Sequence, residues 1–168
     1  MTAPRILIAG IGNIFYGDDA FGVEVVRRLV ERPWPEGVCV RDFGIRGLDL
    51  AYALLDGWDQ AILVDAAPRG NAPGTLCLLA LDDEALNAAE TLVEAHGTNP
   101  LRVLSLAKSL GGPLPVLRLV GCEPATLGSE DEPALGLSEP VAAAVDEAVV
   151  MIARLVAEAR QTERSCTS

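Results

Sequence analysis

Histidine occurs once in this 168-residue chain, and lysine and arginine together only 13 times, against 24 aspartates and glutamates. A formal net charge of -11 leaves little basic surface to hold nucleic acid or an anionic membrane, and neither is an expected partner. Aromatic residues are scarce as well, at 4%, although half of the chain is hydrophobic. The core must therefore be filled mainly by Val, Leu, Ile and Ala, as in layered α/β domains. No apolar run approaches the roughly 20 residues that span a bilayer, and Ile6 to Ala9 is too short for the apolar heart of a secretory signal. The expected location is cytoplasmic. Cys39, Cys77, Cys122 and Cys166 stand far apart, with no C-x-x-C pair and no cysteine-histidine cluster to build a structural zinc site. Three of them lie in apolar strand-like stretches, where cysteine acts as a small hydrophobe.

What the chain does have is concentrated near its start. Ile6 to Ala9 is an unbroken apolar run, suited to a strand covered on both faces of a parallel sheet. Gly10 and Gly12 then allow a tight turn at the carboxyl end of that strand, where open α/β sheets place their sites. From Phe21 onward, Phe21, Val25 and Leu29 recur at helical spacing, so Asp18 and Asp19 fall at the amino end of a helix and at the mouth of a crevice. A dinucleotide-binding turn is the first reading to test, with Asp42 as the ribose-binding acid. It fails because the third glycine of G-x-G-x-x-G falls on Phe15, whose side chain would fill the space needed for close helix-strand packing. Asp18 and Asp19 would also put negative charge where a pyrophosphate needs a bare helix terminus.

The rest alternates between strands and helices. Val38 to Arg41 reads as a second strand, followed by the glycine loop Asp42-Phe-Gly-Ile-Arg-Gly47, as often structural as functional when such loops stand alone. Gln60 to Asp65 is a third, buried strand that ends on a carboxylate with no helix behind it to cap. The turn Asn71-Ala-Pro-Gly74 leads into a fourth strand, Thr75 to Leu79, expected to run antiparallel beside the third. After a helical stretch over Asp82 to Glu90 comes His96, in a loop before a helix over Leu101 to Leu110, capped by Thr98 or Asn99 with Pro100 at its first position. Taken alone, His96 is equally a surface residue or a ligand. Pro115 to Gly121 is the fifth strand. The acidic loop from Cys122 to Pro133 reads as solvated surface, and Ser138 as the cap of a last helix with one apolar stripe. The expectation is a three-layer α/β/α sandwich with a five-stranded, mostly parallel sheet and one antiparallel strand. One domain covers residues 1–160, and a polar tail follows at 161–168.

The pattern Gly10-x-Gly12-Asn13-x-x-x-x-Asp18-Asp19-x-x-Gly22 resembles the signature of the nickel-iron hydrogenase maturation endopeptidases. The likeness continues through Asp42-x-Gly44-x-x-Gly47, Leu63-Val64-Asp65, Glu94-Ala-His96-Gly97 and Gly121-Cys-Glu-Pro124. It implies the phosphorylase/hydrolase-like fold and an endopeptidase that trims the carboxyl-terminal extension of a hydrogenase large-subunit precursor once nickel is inserted. Asp19, Asp65 and His96 match the family's metal-holding positions, with the nickel carried by the precursor rather than permanently bound; Asp19 stands where many members have glutamate. The likeness implies that Asp42 to Gly47 helps to form the substrate cleft. Gly10, Gly12, Asn13, Gly44 and Gly47 support the site, and Asp18 is read as a cap on the first helix. Two roles for the metal stay open: polarising the attacking water while Asp19 or Asp65 accepts a proton, or recognition alone. A zinc amidohydrolase with a resident metal and a non-cutting nickel chaperone are the rival readings. A serine or cysteine nucleophile is not expected, because the single histidine is committed to the metal cluster.

Overall fold

The computed structural model describes residues 2–89 and 99–165. Five strands, β1 (Ile6–Ile11), β2 (Val38–Gly44), β3 (Gln60–Ala66), β4 (Leu76–Ala80) and β5 (Val116–Cys122), form one sheet in the order β2-β1-β3-β5-β4. Four strands are parallel, and β4 alone runs antiparallel, on β5. Helices α1 (Phe21–Val30) and α5 (Glu139–Ser165) cover one face; α2 (Gly47–Ala53), α3 (Asp83–Ala89) and α4 (Pro100–Leu110) cover the other.

This layering follows from the strand sequences. Every residue of β1 is buried; Ile6 and Ile8 point into the core under α1 and α5, and Leu7, Ala9 and Ile11 into the core under α2 and α4. Each such aliphatic side chain contributes about 1.5–3 kcal/mol by leaving water. The stripe Val141, Val145, Val149 and Ile152 lays α5 across the first face, as its spacing predicts. Helix α4 begins as expected, with Asn99 Oδ1 accepting from Leu101 N at 2.8 Å and Pro100 in the first turn.

Two expectations are corrected, for the neighbour of the fourth strand and for the end of the last helix. The fourth strand is antiparallel, but its neighbour is β5 rather than β3. Leu117, Leu119, Val120 and Cys122 are buried on both faces and claim the interior place beside β3, whereas no residue of β4 is fully buried, which suits an edge. The close helix-strand packing is made by a different glycine from the one first sought. A Cβ on Gly22 would lie 2.0 Å from the Val64 carbonyl oxygen and 2.4 Å from that of Ile11, while Phe15 stands outside this contact, 55% exposed. The last helix continues through Ser165, beyond residue 160.

Candidate active site

From β1 the chain steps to β2 on one side, and β3 lies on the other side of β1. The sheet order therefore reverses between β1 and β3, and at such a switch the loops leaving the carboxyl ends diverge and open a crevice. Asp19, in the turn that follows β1, and Asp65, at the end of β3, come to this point. Helix α4 is joined to β5 by a short connection, so its first turn, at Asn99 and Pro100, lies toward the same end of the sheet. His96, the third residue of the expected ligand set, lies outside the described residues.

Gly12 fixes the position of Asp19. Its φ is +145°, and a Cβ there would lie 1.9 Å from the Asp19 carbonyl oxygen, so a side chain would drive the turn apart. Gly10 has the same close quarters against α1, where a Cβ would meet the Gly22 oxygen at 2.6 Å. Gly12 N donates to the Gly44 oxygen at 3.0 Å, and Gly44, at φ +53°, turns the chain toward Gly47 at the start of α2. Asn13 Oδ1 accepts from Phe15 N at 2.9 Å, and Asn13 N donates to Asp19 Oδ2 at 2.8 Å. Asp42, Phe43 and Arg46 of this loop line a cleft of about 510 Å³ together with Arg41, Asp49, Tyr52, Ala53 and Asp56, on the β2–α2 side of the molecule. Neither Asp19 nor Asp65 is among its lining residues.

Among the described residues each of the two site carboxylates accepts one hydrogen bond. Asp65, 4% exposed, takes its bond from Ala66 N at 2.8 Å, and Asp19 from Asn13 N. Burial first, and then the charge of Asp19, hold its carboxyl well above the usual range. Burial also raises Asp19, against the opposing hydrogen bond from Asn13 N. Two raised acids, one of them pushed further by the charge of the other, suit either a shared proton or a cation. Among the described residues no group of three His, Cys, Asp or Glu could hold a metal ion.

Asp18, one residue away, is wholly buried and does not cap α1, whose N-cap has no side-chain hydrogen bond. Its Oδ2 accepts from Ala125 N (2.8 Å), Thr126 N (2.9 Å) and Ser138 Oγ (2.8 Å), and its Oδ1 from Ser138 N (2.7 Å). Burial alone would raise this carboxyl, but the donors from Thr126, Ser138 and Ala125 together hold it below its usual value. Ser138 therefore gives its hydroxyl to Asp18. A second buried carboxylate, Glu123, accepts from Arg69 N (2.7 Å) and Gly70 N (3.1 Å) and fastens the loop that follows β3. The sequence reading missed both anchors. The only signals were an aspartate doubled beside Asp19 and a glutamate directly after an apolar strand.

Cys39, Cys77 and Cys122 are free thiols. Cys122 is pushed up to about 12, chiefly by burial, with the charges of Asp18, Cys77 and Glu123 adding to it, so it is no nucleophile at neutral pH.

A family model described as hydrogenase maturation protease matches residues 23–155. That span starts after Gly22, so the match does not depend on the amino-terminal signature. The chain belongs to the hydrogenase maturation protease family. The protease is 36% identical over 159 residues to the hydrogenase expression/formation protein HoxM of Azotobacter vinelandii, covering 94% of this chain and 75% of that protein. It is 33% identical over 150 residues to the hydrogenase 2 maturation protease of Escherichia coli, covering 88% of each. Among solved structures, the hydrogenase maturating endopeptidase HybD of E. coli superposes with a TM-score of 0.74 at 32% identity, covering 92% of this chain and 93% of that one. The expected sheet, with one antiparallel strand among parallel ones, is the fold of these relatives. The protease is a hydrolase of the endopeptidase class. Among its described residues, no helix is long and apolar enough to cross a membrane.

Proposed function

We propose that this protease removes the carboxyl-terminal extension of a nickel-iron hydrogenase large-subunit precursor after nickel insertion, with Asp19, Asp65 and His96 gathered around the precursor's nickel. The observation that carries this reading is the pair at the switch point. Asp65 is buried, accepts a single hydrogen bond among the described residues and is raised further by Asp19, so ionising both acids there is costly unless a cation is shared between them. Two carboxylate oxygens with one imidazole suit a borderline divalent ion and leave positions for ligands that the substrate brings. Such a set is weaker than the histidine-rich sets of resident zinc enzymes, and precursor already holding nickel would supply what is missing.

In this reading the ion joins the two proteins and holds the tail within reach of the crevice, so that positioning accounts for much of the rate. When bound there, the ion supplies Lewis acidity toward the scissile carbonyl or the attacking water. Asp65 and Asp19, with carboxyls raised above their usual range, accept or return a proton at their Oδ atoms. The protein's own part is to orient these two oxygens through Gly12, Asn13 N and Ala66 N.

The test compares nickel-loaded with nickel-free precursor, using one enzyme preparation and following loss of the tail by mass. Cleavage of the loaded form only is expected, and His96→Ala should stop it. Equal cleavage of both forms would overturn the dependence on nickel. A stoichiometric zinc that survives purification and is needed for cleavage would favour a resident-metal amidohydrolase instead.

A further inference from the structure

The turn that carries Asp19 is stitched to the loop between β5 and α5. Gly17 N donates to the Ala134 oxygen and Ala134 N to the Phe15 oxygen, both at 2.8 Å; Asp18 N donates to the Thr126 oxygen at 3.0 Å and Gly128 N to the Tyr16 oxygen at 3.1 Å. Tyr16 bridges Ala134 in parallel and Gly17 bridges Leu127 in antiparallel fashion. The four hydrogen bonds into the Asp18 carboxylate lock the same two segments from beneath. On this fixed double loop four large apolar side chains are exposed: Ile14 at 39%, Phe15 at 55%, Leu127 at 50% and Leu135 at 79%. Ile14 and Phe15 directly follow Asn13, whose N–H holds Asp19, and Leu127 follows Thr126, which is bonded to Asp18.

Apolar side chains gathered in the open on a hydrogen-bonded scaffold at the edge of a site favour binding, because little freedom remains to be lost when they are covered. We infer that Ile14, Phe15, Leu127 and Leu135 form a docking rim that grips an apolar segment of the substrate protein beside its scissile bond. The rim stands on the turn that carries Asp19, so an endopeptidase substrate reaching Asp19 is placed beside it. A second copy of this chain is a poor occupant. It would bring the exposed run Glu130, Asp131 and Glu132 of each copy toward the other in a protein already at -11. The inference rests on the reading that the substrate is the hydrogenase precursor.

The experiment measures equilibrium binding of full-length large-subunit precursor by surface plasmon resonance. Both enzyme forms carry Asp65→Asn so that the tail is not cut, and one also carries Phe15→Ser and Leu135→Ser. The rim variant should bind at least tenfold more weakly with an unchanged melting temperature, and the conservative pair Phe15→Leu and Leu135→Met should stay within about twofold. Equal affinity of the two forms would overturn the inference. So would a dimer seen in sedimentation that the rim substitutions dissolve while precursor affinity stays the same. A separate incubation of precursor with the unsubstituted enzyme keeps the two readings apart. If the rim substitutions weaken binding but the unsubstituted enzyme leaves the tail intact, the proposed cleavage fails and the rim stands.

Discussion

Asp18 and Asp19 are neighbours in the chain and opposites in the fold. Asp18 is wholly buried with four donors on its two oxygens, and its carboxyl is held below the usual range. Asp19 is only partly buried, accepts one hydrogen bond among the described residues, of 2.8 Å from Asn13 N, and is raised. The donors decide the direction: the more deeply buried of the two carboxyls is the one held low. A buried carboxylate with its lone pairs filled is a structural anion that fastens loops; one with lone pairs left over is available for a proton or a cation. Among the described residues Asp65, like Asp19, has a single donor, and Glu123, with two backbone donors, belongs with Asp18.

The largest test of this contrast is catalytic. Asp19→Asn and Asp65→Asn should each lower precursor processing by about 10²–10⁴-fold, the range for a removed proton-transfer group, while circular dichroism and melting temperature show the fold retained. Processing at the normal rate by either variant would end the assignment of the pair. The second test is thermodynamic. Asp18→Ala leaves the backbone N–H groups of Ala125, Thr126 and Ser138 without their acceptor and should destabilise the fold by about 3 kcal/mol in urea denaturation. A loss below about 0.5 kcal/mol would show that the loop is held by other means.

The smallest effect, and the one that sharpens the comparison, is in pH. Asp18 has a folded pKa below its ordinary value of 3.8, so its contribution to stability is present above that pH and is lost as pH falls through the lowered value. Asp65 has the opposite sign. Its folded pKa is raised, so its contribution is full below pH 3.8 and is lost as pH rises through the raised value. Above that window Asp65→Asn should therefore be at least as stable as the parent chain, read as the urea midpoint against pH. A variant less stable than the parent at neutral pH would contradict the raised carboxyl.

Much of the fold was legible because it rests on periodicity. The apolar run of β1, the stripe of α5, and Asn99 with Pro100 before α4 each follow from local rules that the structure obeys. Legibility failed where a side chain had more than one suitable partner. Ser138 reads only as a helix cap, and its carbonyl does accept from Ala142 N in the first turn of α5, but its hydroxyl also donates to Asp18, 120 residues away in the chain. Asp18 likewise reads as a cap for the helix that follows, and its four donors come from the other end of the protein.

The sequence by itself determined which segments are strands and helices, that both faces of the sheet are covered, and which residues stand at the strand ends, because these depend on spacing within a few residues. Only the tertiary structure decided that β5 lies between β3 and β4, that Gly22 rather than a third turn glycine brings α1 onto the sheet, and that Asp19 and Asp65 meet at the β1–β3 switch. Those outcomes depend on competition between distant segments for the same interior space and the same hydrogen-bond donors. That competition is settled only when the whole chain has packed.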